Sequence, residues 1–316
     1  MNEIVILMGY NAAGKSTFVK SFTDQGYIRV NRDLAGTSLE ECATRAGNVI
    51  RNFNKPVVLD NTYPSVKSRA SIIRAAQEAK VPIRCVHLTT SLEDAQLNAC
   101  LRMMKKLGTI PNPEDVKGYS KDPNVFPPAA IYHYRKQFEK PTLAEGFSQI
   151  LNEAFVRVWG PEYVNKAVIC DYDGTLRICT DGAKFPVTPN QIKILPNRLE
   201  TLRRYHKDGY NIFGASNQSG VAKGDLTAEE AHVCFQHTNR LLGDLVTKYL
   251  FCPHRVPPIT CYCRKPAPGM GAYLIEKYKL LPSKCIMVGD MGGDKSFAAR
   301  CGFQYMDAEE FFKQQV

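Results

Sequence analysis

Short apolar runs alternate with longer amphipathic segments along this chain of 316 residues. In the first half, four runs have the length of a buried strand: residues 3–8, 27–31, 55–60 and 83–89. Helical segments separate them, and a capping box at Ser38 and Glu41 predicts where one of these helices begins. Strands that alternate with helices predict an α/β fold with a parallel sheet.

The same alternation returns after residues 159–161, where Trp-Gly-Pro marks a boundary. Three further strands are predicted in the second half: residues 167–170, 210–215 and 285–289. Because domains usually contain about 100–200 residues, we predict two α/β domains, residues 1–160 and residues 161–316. Residues 109–128 contain five prolines, and we expect this segment to form no helix and to be mobile.

The first strand leads into a phosphate-binding loop, Gly9–Ser16, with the sequence GYNAAGKS. Glycines let backbone N–H groups turn toward nucleotide phosphates, and the following helix adds partial positive charge. Lys15 would reach the outer phosphates of ATP, and the Ser16 hydroxyl would hold Mg²⁺. The residues predicted to bind the nucleotide are Gly9, Gly14, Lys15, Ser16 and Thr17. The alternative is a strand–helix turn that binds nothing.

Two acidic residues follow strands of the first sheet, where ligands of parallel α/β sheets bind. Asp33 comes just after the second strand and could accept the proton of a hydroxyl that receives a phosphoryl group. Asp60 ends the third strand and could orient the substrate or belong to the metal shell. Either residue could instead be a helix cap or a loop carboxylate.

The second half carries a D-x-D-G-T motif after its first strand. Its two carboxylates, Asp171 and Asp173, can project into one Mg²⁺ site. Asp171 can then attack phosphorus to form an aspartyl-phosphate, while Asp173 protonates the leaving oxygen. The partners for this chemistry follow in order: Ser216 for the phosphoryl oxygens, Lys265 as a cation, and Asp290 with Asp294 for Mg²⁺. An acid-rich domain without activity is the alternative.

A separate group of metal-ligand residues lies just before the lysine: Cys252, His254, Cys261 and Cys263. Three thiolates and one imidazole suit a tetrahedral, structural Zn²⁺ site. The alternative is four residues in a loop without metal.

The composition indicates the charge of each half and the compartment of the protein. Residues 1–160 carry 21 Lys and Arg against 15 Asp and Glu, and residues 161–316 carry 20 against 16. Both halves are therefore basic, as expected for a protein that meets a polyanion. No apolar run is long enough to span a membrane, and no signal peptide is recognisable. We expect an intracellular protein, cytoplasmic or nuclear, whose 11 cysteines are thiols or metal ligands.

Residues 3–159 resemble the kinase domain of the polynucleotide kinase–phosphatase family. The resemblance includes GYNAAGKSTF, GYIRVNRD, VVLDNTYPSVKSRA and the segment YRKQFEKPTLAEGF at residues 134–147. It implies that Asp33 is the general base on a 5′-hydroxyl and that Arg32 and Asp60 lie on the substrate side. The family also places an arginine in a lid over the ATP phosphates. Arg102 is the candidate here, because Cys100 occupies a position where arginine is expected.

Residues 165–314 resemble the haloacid-dehalogenase superfamily of phosphatases, which implies a Rossmann-like domain. The cysteine and histidine spacing, followed by RKPAPGM, resembles the branch that contains heptose-bisphosphate and histidinol-phosphate phosphatases.

Together the two halves predict an enzyme that heals nucleic-acid ends. It would phosphorylate 5′-hydroxyls with ATP, remove 3′-phosphates, act on DNA or RNA, and prepare ends for a ligase. A kinase–phosphatase of small metabolites is the first alternative, because the metal loop resembles that of metabolite phosphatases. A non-catalytic scaffold that binds nucleic acid is the second, although a scaffold would not need the full set of charged residues.

Overall fold

The computed structural model describes residues 2–119, 122–255 and 261–313. The chain packs into two compact units, one made of Met1–Ala99 with Ala129–Arg157 and the other of Cys100–Pro128 with Val158–Val316. Both units are α/β, which confirms the predicted fold class. The division follows packing and places residues 100–128 with the second unit, so the domain boundary at residue 160 stays a prediction.

The first sheet contains five parallel strands in the order β2-β3-β1-β4-β5. The strands are β1 (Ile4–Met8), β2 (Ile28–Val30), β3 (Val57–Asp60), β4 (Ile83–Leu88) and β5 (Gln149–Glu153). All residues of β1 and β3 are buried, as expected where helices cover both faces of a parallel sheet. Four of the strands were predicted, but β5 was not, because its residues are only partly buried and carry little apolar pattern.

Eight helices are found in the described part of the first 137 residues. They are α1 (Lys15–Phe18), α2 (Lys20–Thr23), α3 (Arg32–Ala35), α4 (Leu39–Phe53), α5 (Val66–Glu78), α6 (Leu92–Leu107), α7 (Pro113–Gly118) and α8 (Pro128–Gln137). The predicted capping box is confirmed, because Ser38 and Glu41 each accept a hydrogen bond from the other's backbone N–H.

Helix α7 contradicts the expectation that residues 109–128 form no helix. Asn112 caps this helix through a hydrogen bond from the Asp115 N–H, and Pro113 occupies its first turn. Proline is tolerated there because the N–H that it lacks has no partner within a helix. The prediction was wrong because it treated proline only as a helix breaker.

The second sheet also has five parallel strands, in the order β10-β9-β6-β11-β12, and a separate antiparallel pair joins β7 to β8. The strands are β6 (Asn165–Cys170), β7 (Arg177–Cys179), β8 (Ile192–Ile194), β9 (Asn211–Asn217), β10 (Val246–Cys252), β11 (Leu280–Gly289) and β12 (Gln304–Asp307). The helices are α9 (Arg198–Lys207), α10 (Ser219–Lys223), α11 (Ala228–Leu241), α12 (Gly269–Tyr278), α13 (Gly292–Cys301) and α14 (Ala308–Lys313).

Strand register determines which side chains meet at the carboxyl edge of this sheet. Cys170, the last residue of β6, pairs with Gly214 of β9 on one side and with Val288 of β11 on the other. The residues that follow these three positions therefore come to one edge. They include Asp171 and Asp290, which the sequence placed in one site.

None of the 11 cysteines forms a disulfide. Within the three described ranges, no helix is both long enough and apolar enough to cross a membrane.

A buried ion pair holds residues 138–146 against α5 in the first unit. Both terminal nitrogens and the Nε of Arg69 are engaged: Nε and Nη2 donate to the Glu145 carboxylate at 2.7 and 2.9 Å, and Nη1 donates to two backbone carbonyls. The Glu139 carboxylate in turn accepts from the Val66 N–H at the start of α5. A buried guanidinium requires such complete pairing.

Replacing Glu145 should destabilise the first unit through this pair. Glu145→Gln leaves the buried Arg69 charge without a counter-ion, and breaking a buried pair from one side costs about 3–5 kcal/mol. Hydrogen exchange of β1 and β3 peptides would measure the free energy of unfolding of this unit. Asp24→Asn, which breaks an exposed pair with Lys20, is the control and should change it by less than about 1 kcal/mol. Equal effects of the two variants would contradict the assigned role of the buried pair.

Candidate active sites

The phosphate loop has the backbone conformation that its glycines predict. Gly9 and Gly14 adopt φ values of +150° and +95°, and a Cβ on Gly9 would press on the Leu88 carbonyl at 3.1 Å. The Lys15 side chain is buried, and its Nζ donates to the carbonyls of Gly9 and Tyr10 at 2.8 and 2.6 Å. The loop therefore holds one buried ammonium group against its own backbone carbonyls, where its positive charge can attract phosphate.

Asp60 is fully buried at the end of β3 and joins the phosphate loop to β2. It accepts a hydrogen bond from Ser16 Oγ at 3.3 Å, and it pairs with Arg29 through Nε and Nη2 at 3.1 and 2.6 Å. Asn31 Nδ2 adds a bond of 2.9 Å. The predicted Ser16 and Asp60 therefore meet, as metal-shell residues would. Arg29 and Asn31 were missed, although they lie two residues apart in extended backbone, which places both on one face.

Asp33 and Arg32 lie on α3, directly after β2. Asp33 has a side chain 44% exposed, and Arg32 donates to it at 3.2 Å. The Arg32 N–H also donates to Asn61 Oδ1 at 3.0 Å, which fixes the start of the helix. Among the described residues no hydrogen bond joins Asp33 to the phosphate loop. An exposed carboxylate remains available to a substrate hydroxyl, so its role as general base stays a prediction.

The predicted lid arginine, Arg102, lies on α6. Its guanidinium packs over the Phe126 ring at 5.4 Å, its Nε has no hydrogen-bond partner among the described residues, and burial lowers its pKa. Its role in the lid stays a prediction. Cys100, at the position where arginine was expected, is 2% exposed.

A residue that the sequence analysis missed contacts the phosphate loop directly. Asn98 Nδ2 donates to the Ala12 carbonyl at 3.0 Å, and Arg157 Nη1 donates to Asn98 Oδ1 at 2.5 Å. Arg157 also pairs with Asp94 at 3.0 Å. These contacts tie the loop backbone to α6 and to the chain after β5.

The second unit brings four predicted residues together. Lys265 Nζ lies 2.8 Å from Asp171 Oδ1 and 2.7 Å from Asp294 Oδ1. One oxygen from each of Asp171, Asp290 and Asp294 lies within 4.8 Å of the others, a group that could hold a metal ion. Carboxylate oxygens are the ligands that Mg²⁺ prefers.

The electrostatics of this group favour bound cations. Burial raises the pKa of Asp290, and the nearby Asp171 charge raises it further; burial also raises the pKa of Asp294. Burial alone would lower the pKa of Lys265, but Asp171 and Asp294 outweigh it, so this pKa is raised. The lysine therefore stays charged and neutralises part of the acidic cluster.

Two glycines leave room for the carboxylates. A Cβ on Gly174, whose φ is +89°, would collide with Asp290 Oδ2, and a Cβ on Gly289 would collide with Asp294 Oδ2. The glycine of the D-x-D-G-T motif thus serves both the turn and the close approach of a metal ligand.

Asp173 lies apart from the three carboxylates. Its Oδ1 accepts from Arg177 Nε at 2.8 Å, and its Oδ2 accepts from Gln218 Nε2 at 2.8 Å. Gln218 Nε2 also donates to Ser216 Oγ at 3.0 Å. Asp173 is outside the group of three carboxylates that could hold a metal ion, so its predicted contact with Mg²⁺ stays a prediction. Its link to Ser216 through Gln218 agrees with a role at the phosphoryl group.

Lys265 itself is held by a reciprocal pair of hydrogen bonds. Asn217 Nδ2 donates to the Lys265 carbonyl and Asn217 Oδ1 accepts from the Lys265 N–H, both at 2.9 Å. The adjacent Arg264 has a buried Nη1 without a hydrogen-bond partner among the described residues. Four residues of this site were not predicted to belong to it, although each lies beside a motif residue: Asn217, Arg264, Arg177 and Gln218.

The four predicted zinc ligands form one cluster: Cys252, His254, Cys261 and Cys263. The sulfurs of Cys252 and Cys261 lie 3.7 Å apart, and His254 Nδ1 lies 3.2 Å from the Cys263 sulfur. Hydrogen bonds from the neighbouring thiols lower the pKa of Cys261 and favour its thiolate. Residues 256–260, within the same loop, lie outside the described residues.

Comparison with known families matches the two halves separately. Residues 4–141 match the family profile described as AAA domain, and residues 166–312 match the one described as polynucleotide kinase 3 phosphatase.

Individual relatives fall into two groups. A bifunctional polynucleotide phosphatase/kinase of Schizosaccharomyces pombe is 35% identical over 149 residues, which are 47% of this chain and 32% of that protein. The chain thus spans about a third of that relative's length. A Thermoplasma volcanium protein named "Probable D-glycero-D-manno-heptose-1,7-bisphosphate 7-phosphatase" is 32% identical over 43% of this chain and 92% of its own length.

A solved structure resembles part of the chain at 28% identity. It is the D,D-heptose 1,7-bisphosphate phosphatase of B. bronchiseptica complexed with magnesium and phosphate. The match covers 45% of this chain and 79% of that one, with a TM-score of 0.40.

Proposed function

The chain joins an AAA-type P-loop domain to a domain of the polynucleotide kinase 3 phosphatase family, and we propose that it heals nucleic-acid ends. It would phosphorylate 5′-hydroxyls with ATP and remove 3′-phosphates. The observation that carries the proposal is the contact of Lys265 with Asp171 and Asp294 in a domain of that family. A net charge of +10 suits a polyanionic substrate, DNA or RNA.

For the kinase, Lys15 and the loop amides would bind the ATP phosphates, and Ser16 with Asp60 would hold Mg²⁺. The hydroxyl and carboxylate oxygens of this pair fit that ion. Asp33 would accept the proton of the 5′-hydroxyl as its oxygen attacks the γ-phosphorus. Arg102 would neutralise charge on the phosphates from the lid.

For the phosphatase, Asp171 would attack the phosphorus while Asp173 gives a proton to the departing 3′-oxygen. Ser216 would donate to a phosphoryl oxygen, and Lys265 would hold both the phosphoryl group and the nucleophile. Asp171, Asp290 and Asp294 would hold Mg²⁺, which supplies positive charge that offsets the charge on the phosphoryl group. Asp173 would then take a proton from the water that releases phosphate.

The cysteine and histidine cluster would bind a structural Zn²⁺. Tetrahedral zinc with Zn–S bonds of about 2.3 Å places its sulfurs about 3.8 Å apart. The observed 3.7 Å between Cys252 and Cys261 fits that spacing. Because Cys263 lies two residues before Lys265, the ion would fix the loop that presents this lysine.

A metabolite phosphatase is the second candidate for the second domain. The Thermoplasma relative supports it, since the match covers 92% of a protein named for heptose-bisphosphate hydrolysis.

The end-healing proposal implies that the enzyme acts inside the cell, where ATP and nucleic-acid ends occur. A ligase that seals the healed ends would then be a suitable partner.

Two oligonucleotides of different length would test end healing. One carries only a 5′-hydroxyl and the other only a 3′-phosphate, and mass spectrometry follows both with ATP and Mg²⁺. We expect the first to gain a phosphate and the second to lose one. Gain without loss would favour the metabolite phosphatase, and no change on either strand would contradict the proposal.

Single substitutions should separate the two activities because the two sets of residues are different. Lys15→Ala removes the phosphate-binding ammonium and should abolish phosphorylation alone, by more than about 100-fold. Asp171→Asn removes the nucleophile and should abolish dephosphorylation alone. Each variant is the folding control for the other, and loss of both activities in either one would contradict the two-site mechanism.

Removal of the cluster's metal should weaken only the second activity. We expect elemental analysis to find one equivalent of zinc in the purified full chain. The Cys261→Ser variant should contain no zinc. Phosphatase activity should fall at least about 10-fold because the Lys265 loop loses its anchor, while kinase activity stays unchanged. Cys285→Ser, a buried cysteine outside the cluster, is the control and should retain zinc. A zinc-free wild-type chain with full phosphatase activity would refute this role.

A further inference from the structure

Arg177 is a buried arginine beside the phosphatase site, and the mechanism above gives it no role. Its residue is 1% exposed, yet its side chain is charged and makes three hydrogen bonds. Nε donates to Asp173 Oδ1 at 2.8 Å, while Nη1 donates to Thr238 Oγ1 at 2.7 Å and to the Cys234 carbonyl at 3.0 Å. The guanidinium thus connects Asp173 to α11.

Aromatic packing fixes this guanidinium further. The Cζ atom of Arg177 lies 5.1 Å from the ring centre of Tyr172 and 4.9 Å from the ring centre of Phe235. The two rings pack edge to face at 4.5 Å. Two anchors on α11 and two rings leave Arg177 little freedom, so the carboxylate that it binds is held in one orientation.

The two oxygens of Asp173 have partners of different kinds. Arg177 can only donate hydrogen bonds, so Oδ1 must be an acceptor and cannot carry a proton toward it. Oδ2 faces Gln218, whose amide can present either its NH₂ or its carbonyl oxygen after a half-turn. Gln218 can therefore serve both the ionised and the protonated state of Oδ2.

We propose that Arg177 is a positioning residue that assigns the proton transfers of Asp173 to Oδ2; this rests on the proposed phosphatase function. In the first step an Asp171 oxygen bonds to phosphorus, the bond to the leaving oxygen breaks, and that oxygen takes the proton of Oδ2. In the second step a water oxygen bonds to phosphorus, its proton goes to Oδ2, and the bond to Asp171 breaks. Together the two steps return Asp171 and Asp173 to their starting states.

The test is the dependence of rate on the leaving group. A poor leaving group, such as an alkyl alcohol, needs a well-placed proton, whereas a dinitrophenolate leaves without one. We expect Arg177→Met to lower kcat/KM about 100-fold for alkyl phosphates and less than about 5-fold for 2,4-dinitrophenyl phosphate. kcat/KM is the right parameter because it reports the step in which the leaving group departs. The experiment uses the full chain with Mg²⁺.

Two further variants make the result decisive. Arg204→Met removes an equal charge from α9, where the arginine packs on Tyr205, and should leave the leaving-group dependence unchanged. Thr238→Val removes one anchor of Arg177 without touching Asp173, and we expect an alkyl-selective loss of about 10-fold. If Arg177→Met does not fold, the Thr238→Val variant tests the positioning role of Arg177 in its place.

An equal loss on both esters in Arg177→Met, or in Thr238→Val if the first variant is unfolded, would overturn the role of Arg177 alone. A wild-type chain that hydrolyses neither ester would overturn the proposed phosphatase as well, so the two failures are distinguishable.

Discussion

The acidic cluster of the second unit depends on one buried lysine. Asp171 and Asp290 converge there because adjacent parallel strands end at the same edge, and Asp294 joins them from the first turn of α13. Like charges at this distance repel. Lys265 Nζ bonds to two of them and so makes their proximity tolerable. Several other features follow from this requirement: Asn217 holds the lysine backbone on both sides, and Gly174 and Gly289 leave space for the carboxylates.

The first unit has the opposite electrostatic character, because its site favours anions. Its loop carries the buried Lys15 ammonium, which favours anions, and the buried Asp60 carboxylate next to the loop is already matched by a guanidinium and an amide. One unit therefore concentrates positive potential, as binding of ATP phosphates requires. The other concentrates negative potential, as binding of a metal ion requires. A scaffold that only bound nucleic acid would have no need for the second arrangement.

The sequence predicted those parts of the sites that lie in one continuous stretch or at a strand end. The phosphate loop, the D-x-D-G-T turn and the cysteine and histidine cluster all belong to this class. The fold brings the members of the cluster together, whereas in the D-x-D-G-T turn Asp171 joins the carboxylate group and Asp173 contacts Arg177 and Gln218. Arg29 was not predicted because its partner Asp60 lies on another strand, 31 residues further along the chain, and such a pairing arises from packing. Arg177 was not predicted although it lies only four residues after Asp173, because its role depends on its burial, which the spacing does not show. The helix at Asn112 was missed for another reason: its proline sits in the first turn, where a helix accepts it.

Residues 134–147 carry a resemblance to a family, although none of them is predicted to take part in catalysis. In this segment the Glu139 carboxylate accepts from the start of α5, and Glu145 pairs with the buried Arg69. A change at Glu145 would therefore leave a charge unpaired inside the unit. Tyr134 is also buried, and its ring packs on Tyr10 of the phosphate loop at 4.6 Å. The segment is thus constrained by packing, whereas Lys15, Asp33 and Asp60 are constrained by the proposed reaction. Resemblance in residues 134–147 therefore supports the kind of unit, and the chemistry of that unit must be argued from the loop and the strand ends.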